Sequence, residues 1–494
     1  MSTFHTRYMD VVHQTNTNFN SSLTIKDHQV SGTEWCVTKE ESGQSGALVA
    51  DEMGLGKTII MLMTMLIIPK KSTLIVVPAS LLHQWIDQIK RIIGTNPLVF
   101  YSQKKKKITS EMLVNSSIVI TTYHSIAISK KEKQLPSKNP LHNINWDRVI
   151  YDEAHHLRNR NALWHGATLV NSGFTWVITG TPVQNKLTDF RNICKAANIT
   201  NWNDSVLLRT KNQVGITLPP PVIHNITVPW SNPEELSLAR ETHFKVRNSV
   251  NPTDLIVEMQ LCRQACTYPK LLEKNVHHIE NNILSQPRQD TLDLAFNQHS
   301  KLDAVVDVLS QRRNNNNGKL VFCQFRDEMT ALKNMLTAKN ISVTMIDPSI
   351  SHKRKFSILT ANPIPENSYI EGLNKDVSRI INSYLKSDVT ILQIMSSCEG
   401  LNLQDNFSEV YFVSPTWNPS VESQAIARCH RIGQKKQVEV FRFYMEQFTQ
   451  SEFPQRFDIS GNLVNYYNLD QYILRKQNWK NTTARDFLRS ILDT

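Results

Sequence analysis

The sequence predicts an α/β protein with two lobes, each a parallel β-sheet flanked by helices, and with a helical insertion between the lobes. Three observations support this fold class. Short apolar runs typical of strands recur in both halves of the chain, helix-length segments separate them, and 494 residues suffice for roughly two to four domains. Continuous apolar strands that alternate with helices favour parallel sheets covered on both faces, so we expect two lobes of similar architecture.

The predicted strands form two series. In the first half they occupy residues 48–50, 74–77, 118–121, 148–151 and 176–179. In the second half, after Gly318, they occupy residues 320–323, 343–346, 389–394, 410–413 and 438–443. Helical patterns and a proline-rich stretch fill the region between the two series. These features divide the chain into a leader (1–20), a first lobe (21–211), a helical insertion (212–298), a second lobe (299–446) and a tail (447–494).

Composition is that of an ordinary folded protein. Apolar residues make up 40% of the chain and charged residues 20%, so global disorder is not expected. The longest apolar run, residues 58–69, is too short to span a bilayer, and the polar N-terminus shows no secretory signal, so we expect an intracellular protein that does not bind membranes. Seven scattered cysteines argue against a zinc site, and a net charge of +11 suits binding of a polyanion.

One loop carries the pattern of a nucleoside triphosphate site. It follows an apolar strand, opens an apolar helix, and consists of Asp51, Glu52, Met53, Gly54, Leu55, Gly56, Lys57 and Thr58. The amides of such a loop and the positive end of its helix face phosphates, so Lys57 would reach the β and γ groups of ATP and the Thr58 hydroxyl would hold Mg²⁺. The strict pattern has glycine in place of Asp51, and a loop that merely caps a helix is the alternative.

Two adjacent carboxylates at the end of the fourth predicted strand fit the same chemistry. We expect Asp152 to hold Mg²⁺ through water and Glu153 to polarise the water that attacks the γ-phosphate. A solvated strand end is the alternative. Upstream of the loop, the Gln29 amide offers both a donor and an acceptor with which to read adenine. Thr179 and Thr181 end another strand, where their hydroxyls could sense the phosphates.

Arg428 and Arg431 are the strongest signal in the second half. Three residues apart on a predicted helix, they would project from one face. Paired guanidinium groups on a separate lobe can stabilise the charge on a transferring phosphoryl group, so hydrolysis would depend on closure of the lobes. A basic, solvated helix face is the alternative.

The chain resembles a Swi/Snf-type ATPase of helicase superfamily two over nearly all of residues 23–445. In the first half the resemblance rests on residues 51–58, where Asp51 is the family's usual residue, on the Asp-Glu-Ala-His motif at 152–155, and on segments 73–82, 84–85, 179–185, 208–211 and 218–220. In the second half it rests on segments 320–325, 399–403, 417–419 and 428–434. Compact versions of this motor occur in large DNA viruses, a source that the Asn- and Lys-rich loops would fit.

The resemblance implies two RecA-like lobes, ATP and Mg²⁺ as ligands, and hydrolysis that is stimulated by DNA and drives tracking along a duplex. It also implies that segments 78–80, 121–123, 324–325 and 400–402 face the nucleic acid. Trp417 resembles the tryptophan that couples hydrolysis to motion, with core packing as the alternative. The chain departs from the family at residues 396–399, where Glu399 would be unfavourable beside a phosphate backbone.

The leading hypothesis is therefore DNA-stimulated ATP hydrolysis with translocation on duplex DNA by a monomeric motor. The expected location is the nucleus, a viral replication site or a virion, and the expected partners are transcription or chromatin proteins, although no chromatin-reading module is recognisable. An RNA-directed or transcription-linked motor that releases transcripts or displaces polymerase would use the same residues and stays open. A non-catalytic scaffold that binds nucleic acid is disfavoured because Lys57, Asp152, Glu153 and both arginines are intact.

Overall fold

The computed structural model describes residues 3–19, 25–128, 138–246, 252–275, 289–346, 387–394, 403–448 and 468–492. The chain divides into two compact units. The first comprises Met1–Leu218 with Lys480–Thr494, and the second comprises Pro219–Trp479. Among the described residues, no helix is long and apolar enough to cross a membrane.

The first unit is built on a parallel sheet. In the part of the chain described here, this sheet has seven strands in the order β3-β4-β2-β5-β6-β1-β7. The strands are β1 Gly46–Val49, β2 Thr73–Val77, β3 Leu98–Phe100, β4 Ile118–Thr122, β5 Asn145–Asp152, β6 Asn171–Ile178 and β7 Val206–Leu207. All five predicted strands of the first half are confirmed. The sequence analysis missed β3 and β7, which lie at the two edges of the sheet and are too short to show an apolar pattern.

Helices cover both faces of this sheet. They are Thr3–Phe19, Asp27–Glu41, Lys57–Ile67, Leu82–Ile92, Ser110–Val114, Tyr123–Ile126, Ala162–Ala167, Leu187–Ala196 and Trp202–Ser205, with 3₁₀ turns at Ser102–Lys107, Pro140–Asn143 and Ala154–Leu157. Successive strand residues enter opposite cores: Val49 packs in one apolar cluster and Leu48 in the other. This two-sided burial explains why the strands read as continuous apolar runs. The predicted leader forms the helix Thr3–Phe19, whose Tyr8 and Val12 are buried in the first cluster.

The second unit repeats this architecture. Its described strands form a parallel sheet of six in the order β10-β11-β9-β12-β13-β8. They are β8 Val222–Val228, β9 Lys319–Cys323, β10 Val343–Ile346, β11 Val389–Gln393, β12 Glu409–Phe412 and β13 Glu439–Met445. The helices are Pro233–Val246, Pro252–Thr267, Gln289–Phe296, Ser300–Gln311, Arg326–Ala338 and Pro419–Cys429, with a 3₁₀ turn at Pro269–Asn275. The helix Leu469–Leu492 belongs to this unit as far as Trp479. The five predicted strands of the second half are confirmed.

The region predicted as a helical insertion also contributes a strand. Its helices Pro233–Val246, Pro252–Thr267 and Gln289–Phe296 are present, and they share a small apolar core of their own. Strand β8, however, pairs in parallel with β13 over its whole length and forms one edge of the second sheet. Much of β8 is exposed, so its sequence lacks the apolar run of a central strand. The predicted limits of the insertion, 212–298, stay a prediction.

Candidate active site

Three loops of the first unit leave the carboxyl edge of its sheet side by side. Strand β6 lies between β1 and β5, with Ile178 in register with both Val49 and Asp152. In parallel sheets this edge is where ligands bind, because all the strand-to-helix loops emerge there. The sheet thus brings the predicted phosphate loop, the predicted carboxylates and the Thr179–Thr181 segment to one place.

The phosphate loop adopts a conformation that depends on two glycines. Gly54 and Gly56 have φ angles of 92° and 82°, in the left-handed region that other residues rarely adopt. Gly56 is also the N-cap of the helix Lys57–Ile67, so the loop ends at a helix N-terminus. A Cβ atom on Gly56 would lie only 2.3 Å from Nε2 of Gln29. The backbone here is therefore compact and presents the positive end of a helix, as an anion site requires.

Lys57 lies over this loop. Its Nζ donates to the carbonyl oxygens of Asp51 at 2.7 Å and Glu52 at 3.3 Å. Gly180, at the end of β6, packs against the same group, since a Cβ atom there would lie 3.2 Å from the lysine Nζ and 2.6 Å from Cγ of Met53. The predicted phosphate loop and the Thr179–Thr181 segment are therefore in direct contact.

An ion pair explains why aspartate replaces the first glycine of the strict pattern. Asp51 is fully buried, and Arg209 meets both of its carboxylate oxygens, with Nε at 3.1 Å and Nη2 at 2.5 Å. The guanidinium also donates to the carbonyl oxygen of His28 at 2.8 Å. Two residues further on, Lys211 binds Glu52 through its backbone amide at 2.8 Å and its Nζ at 3.0 Å. The segment after β7 thus braces the loop, a role that the sequence analysis missed.

Gln29 lies beside the loop, where the sequence analysis predicted it. Its Oε1 accepts from the backbone amide of Lys26 at 3.0 Å, and its Nε2 reaches the carbonyl oxygen of Leu55 at 3.4 Å. The neighbouring His28, which was not singled out, meets the same carbonyl through Nε2 at 2.9 Å. Both side chains are buried. The start of the helix Asp27–Glu41 is therefore tied to the phosphate loop.

Asp152 ends β5 within a network of donors. Trp85 Nε1 donates to its Oδ2 at 2.7 Å, the amide of Glu153 donates to its Oδ1 at 2.9 Å, and the Tyr123 hydroxyl donates to its carbonyl oxygen at 2.7 Å. Burial raises the pKa of Asp152, the charge of Glu153 raises it further, and the charge of Lys57 opposes both. A buried carboxylate near a hydroxyl-bearing loop has the oxygen-donor chemistry that Mg²⁺ prefers, so Thr58 and Asp152 fit this ion. The contacts from Trp85 and Tyr123 were not predicted.

Glu153 has an unusual backbone conformation. Its φ of 49° lies in the left-handed region, and it begins the 3₁₀ turn Ala154–Leu157. Such strain at a residue other than glycine persists where the surrounding structure enforces it, and it is common at functional sites. The side chain is 16% exposed, and its Oε2 lies 3.2 Å from Nδ1 of the buried His155. The Glu153 carboxylate therefore lies beside His155, and its charge also acts on the adjacent Asp152.

The two arginines of the second unit do not share a helix. Arg428 is in the helix Pro419–Cys429, but this helix ends before Arg431, so the prediction that both project from one helix face is wrong. The chain leaves the helix because Gln434 Nε2 binds the carbonyl oxygens of Cys429 and Phe407, and because Gly433 turns with a φ of 99°. The two guanidinium groups nonetheless influence each other electrostatically. Burial, and then the charge of Arg428, lower the pKa of Arg431 to about 10.

Other predicted positions have mixed outcomes. Trp417 is half-buried, packs against the core of the second unit and meets Tyr472 edge-on at 6.2 Å, which supports core packing. Thr121, Thr122 and Tyr123 are buried, and Thr121 and Tyr123 bond to neighbouring backbone. That segment 121–123 faces nucleic acid stays a prediction. Segments 396–399 and 400–402 lie outside the described residues.

Comparison with known proteins identifies related families. The SNF2-related domain matches residues 28–281, just over half of the 494 residues, and the helicase conserved C-terminal domain matches residues 300–433. An uncharacterized ATP-dependent helicase of Schizosaccharomyces pombe is 37% identical over 205 residues, which cover 37% of this chain and 20% of that protein. The ISWI chromatin-remodeling complex ATPase ISW2 of Saccharomyces cerevisiae is 26% identical over 512 residues, which cover 94% of this chain and 42% of that protein.

The chain thus spans less than half of the length of these two relatives. Among solved structures, the helicase domain of Pyrococcus furiosus Hef has a TM-score of 0.50 and 14% identity, covering 85% of this chain and 95% of that chain, which supports the fold alone. The order of the two matched domains agrees with the order of the two sheets. The chain therefore belongs to the SNF2-related, or Swi/Snf-type, ATPases of helicase superfamily two, which confirms the prediction of an ATP-hydrolysing enzyme.

Proposed function

We propose that this enzyme hydrolyses ATP when stimulated by DNA and uses the turnover to move along duplex DNA. The observation that carries the proposal is the convergence of the phosphate loop, Gly180 and Asp152 at the carboxyl edge of the first sheet. Relatives named as chromatin-remodeling ATPases suggest DNA as the track, and the net charge of +11 suits a polyanion. Action as a monomer, nuclear or viral location, and chromatin or transcription partners stay predictions.

The residues of the first lobe have separate roles in this proposal. The loop amides and Lys57 bind the phosphates, and Gln29 reads adenine. Thr58 and Asp152 would hold Mg²⁺, which neutralises phosphate charge when bound. Glu153, whose backbone is in the left-handed region, accepts the proton of the attacking water.

Arg428 and Arg431 complete the proposed chemistry. Their guanidinium groups stabilise the charge that develops on the transferring phosphoryl group. Burial and mutual repulsion make Arg431 a weaker base than usual, yet with a pKa of about 10 it remains a cation at neutral pH. Because the two arginines belong to the second lobe and the phosphate loop to the first, hydrolysis requires the lobes to close, and this closure is the step that drives movement.

Steady-state ATP hydrolysis tests the proposal. Turnover is measured without nucleic acid and with duplex DNA, single-stranded DNA or RNA, using Lys57→Ala as the inactive control. We expect strong stimulation by duplex DNA and loss of hydrolysis in the variant, because the phosphates lose their cation. Stimulation by RNA alone would instead indicate a transcript-handling motor, and equal turnover under every condition would exclude a translocase.

Displacement of a third strand from a DNA triplex tests translocation itself. A motor that tracks along the duplex removes the third strand only while it hydrolyses ATP. We expect displacement by the wild type and none by Glu153→Gln, which should bind ATP without turning it over. ATP hydrolysis with no displacement would keep the ATPase and remove the translocase from the proposal.

A further inference from the structure

The C-terminal helix presents one buried face to the second unit, and this face includes two polar residues, Asp470 and Gln477. In the part of the helix Leu469–Leu492 that belongs to this unit, Leu469, Ile473 and Gln477 recur at every fourth position with exposures of 5%, 0% and 5%. Leu469 and Ile473 pack in the apolar core. An amide at the third position is therefore unusual, since a buried polar group is costly unless it is hydrogen-bonded.

The Gln477 amide is bonded to the turn that precedes the helix Pro419–Cys429. Its Nε2 donates to the carbonyl oxygen of Thr416 at 2.6 Å and to Oε1 of Glu422 at 2.8 Å. Thr416 and Glu422 are also buried, with exposures of 3% and 1%. One side chain of the C-terminal helix thus joins two points of this segment.

Glu422 is the hub of this network. Its Oε1 also accepts from the backbone amide of Thr416 at 2.9 Å, and its Oε2 lies 3.1 Å from Nε of Arg442. Glu422 belongs to the first turn of the helix Pro419–Cys429, and Arg428 belongs to the last. A helix is stiff over this length, so a shift at its first turn moves the guanidinium at its end.

A second contact from the same helix supports the same turn. Asp470 and Lys301 form an ion pair in which both side chains are 1% exposed, and Lys301 Nζ also donates to Oγ of Ser414 at 3.2 Å. The C-terminal helix therefore contacts the segment from Ser414 to Thr416 directly at the Thr416 carbonyl oxygen and indirectly, through Lys301, at the Ser414 hydroxyl. Such buried networks fix one geometry because every alternative leaves a polar group unpaired.

We propose that Gln477 is a positioning residue for ATP hydrolysis, which holds Thr416 and Glu422 together and thereby sets the position of Arg428. Gln477 does not touch ATP and acts only through this arginine. The inference rests on the proposed function, since it takes Arg428 as the group that stabilises phosphoryl charge. The tail of the chain, for which the sequence analysis found no motif, thus contributes to turnover.

Gln477→Met tests the inference, because methionine has similar length and removes the donor. We expect kcat for DNA-stimulated hydrolysis to fall about 10- to 100-fold, the range that misplacement of a catalytic group by about 1 Å produces. The KM for ATP should change less than about twofold, because ATP binds to the first lobe. Asn478→Met, at the exposed position next along the helix, is the matched control and should keep the wild-type kcat.

A double-mutant cycle separates positioning from general loss of structure. If Gln477 acts through Arg428, then Gln477→Met should cause almost no further loss in kcat when Arg428→Ala is already present. Thermal unfolding of each variant checks that it is folded. Should Gln477→Met not fold, Gln477→Leu also removes the donor without adding a charge, and it should show the same fall in kcat.

The outcomes distinguish the two proposals. Wild-type protein without DNA-stimulated hydrolysis, or Arg428→Ala with full activity, overturns both. If Arg428→Ala lowers kcat while folded Gln477→Met or Gln477→Leu keeps it, only the positioning role is lost. If Gln477→Met lowers kcat by the same factor with and without Arg428→Ala, the positioning role is likewise overturned and the proposed function stays intact.

Discussion

Replacing Arg209 with methionine is expected to destabilise the first unit and to weaken ATP binding. The Asp51 carboxylate is fully buried, and Arg209 supplies a donor to each of its oxygens, at 3.1 Å and 2.5 Å. The substitution leaves this carboxylate buried without its cation, and breaking a buried pair in this way costs about 3–5 kcal/mol. The lost bond to the carbonyl oxygen of His28 adds about 1 kcal/mol.

Lys211→Met provides a matched control on the same segment. Lys211 also pairs with a carboxylate of the phosphate loop, that of Glu52, with its Nζ at 3.0 Å. The Glu52 side chain is 41% exposed, so water can solvate the charge that the control variant leaves behind. We therefore expect a loss of about 1 kcal/mol or less. The two variants should differ by about 3 kcal/mol although they disturb the same loop.

Urea unfolding and nucleotide titration measure these effects. Tryptophan fluorescence reports mainly on the first unit, which contains the tryptophans at positions 35, 85, 146, 164, 176 and 202. The transitions of the two units are fitted separately, because a two-domain chain does not unfold in one step. A fluorescent, non-hydrolysable ATP analogue then reports binding. Equal losses of stability in the Arg209 and Lys211 variants would refute the reasoning, since burial of the remaining carboxylate would not matter.

Three further predictions follow from the site and the second unit. Glu153→Gln should bind the ATP analogue with unchanged affinity yet lose turnover, and wild-type turnover would exclude it as the base. Arg428→Ala should lower kcat on the order of 10³-fold with little change in analogue binding, measured by steady-state hydrolysis and titration. Glu328 is buried and binds the amides of Gln324 and Phe325, and burial raises its pKa from the usual 4.5 to about 7. Because the Glu328 carboxyl binds its proton more tightly in the folded state than in the unfolded state, the stability that Glu328 contributes is complete below pH 4.5. This stability is lost as the pH rises through about 7. The free energy of unfolding of Glu328→Gln should equal that of the wild type near pH 4.5 and exceed it by about 3 kcal/mol at pH 8. A difference that stays constant across this pH range would contradict the raised pKa.

The local pattern of the chain predicted most of the two sheets. The strands β2 and β9 could be predicted because each is buried on both faces and therefore forms a continuous run of mostly apolar residues, which a short window of sequence shows. The phosphate loop was readable for the same reason, since its two left-handed glycines and its lysine are neighbours in the chain. Strand β8 was not, because an edge strand that is largely exposed has no such pattern.

The partners of the site residues depended on tertiary structure. Arg209 and Asp51 are 158 positions apart, and Trp85 and Asp152 are 67 apart, so no local window relates them. The end of the helix before Arg431 was likewise set by Gln434, whose side chain binds a carbonyl on another segment.

By itself the sequence determined the fold class, ten of the thirteen described strands and the position of the predicted phosphate loop, because these follow from short-range periodicity and backbone requirements. The tertiary structure alone decided which cation neutralises Asp51, that the Glu153 backbone is strained, and how Gln477 reaches Glu422. The physical reason is the same in each case. A buried charge or amide is stable only beside a complementary group, and that group can come from anywhere in the chain that folding brings close.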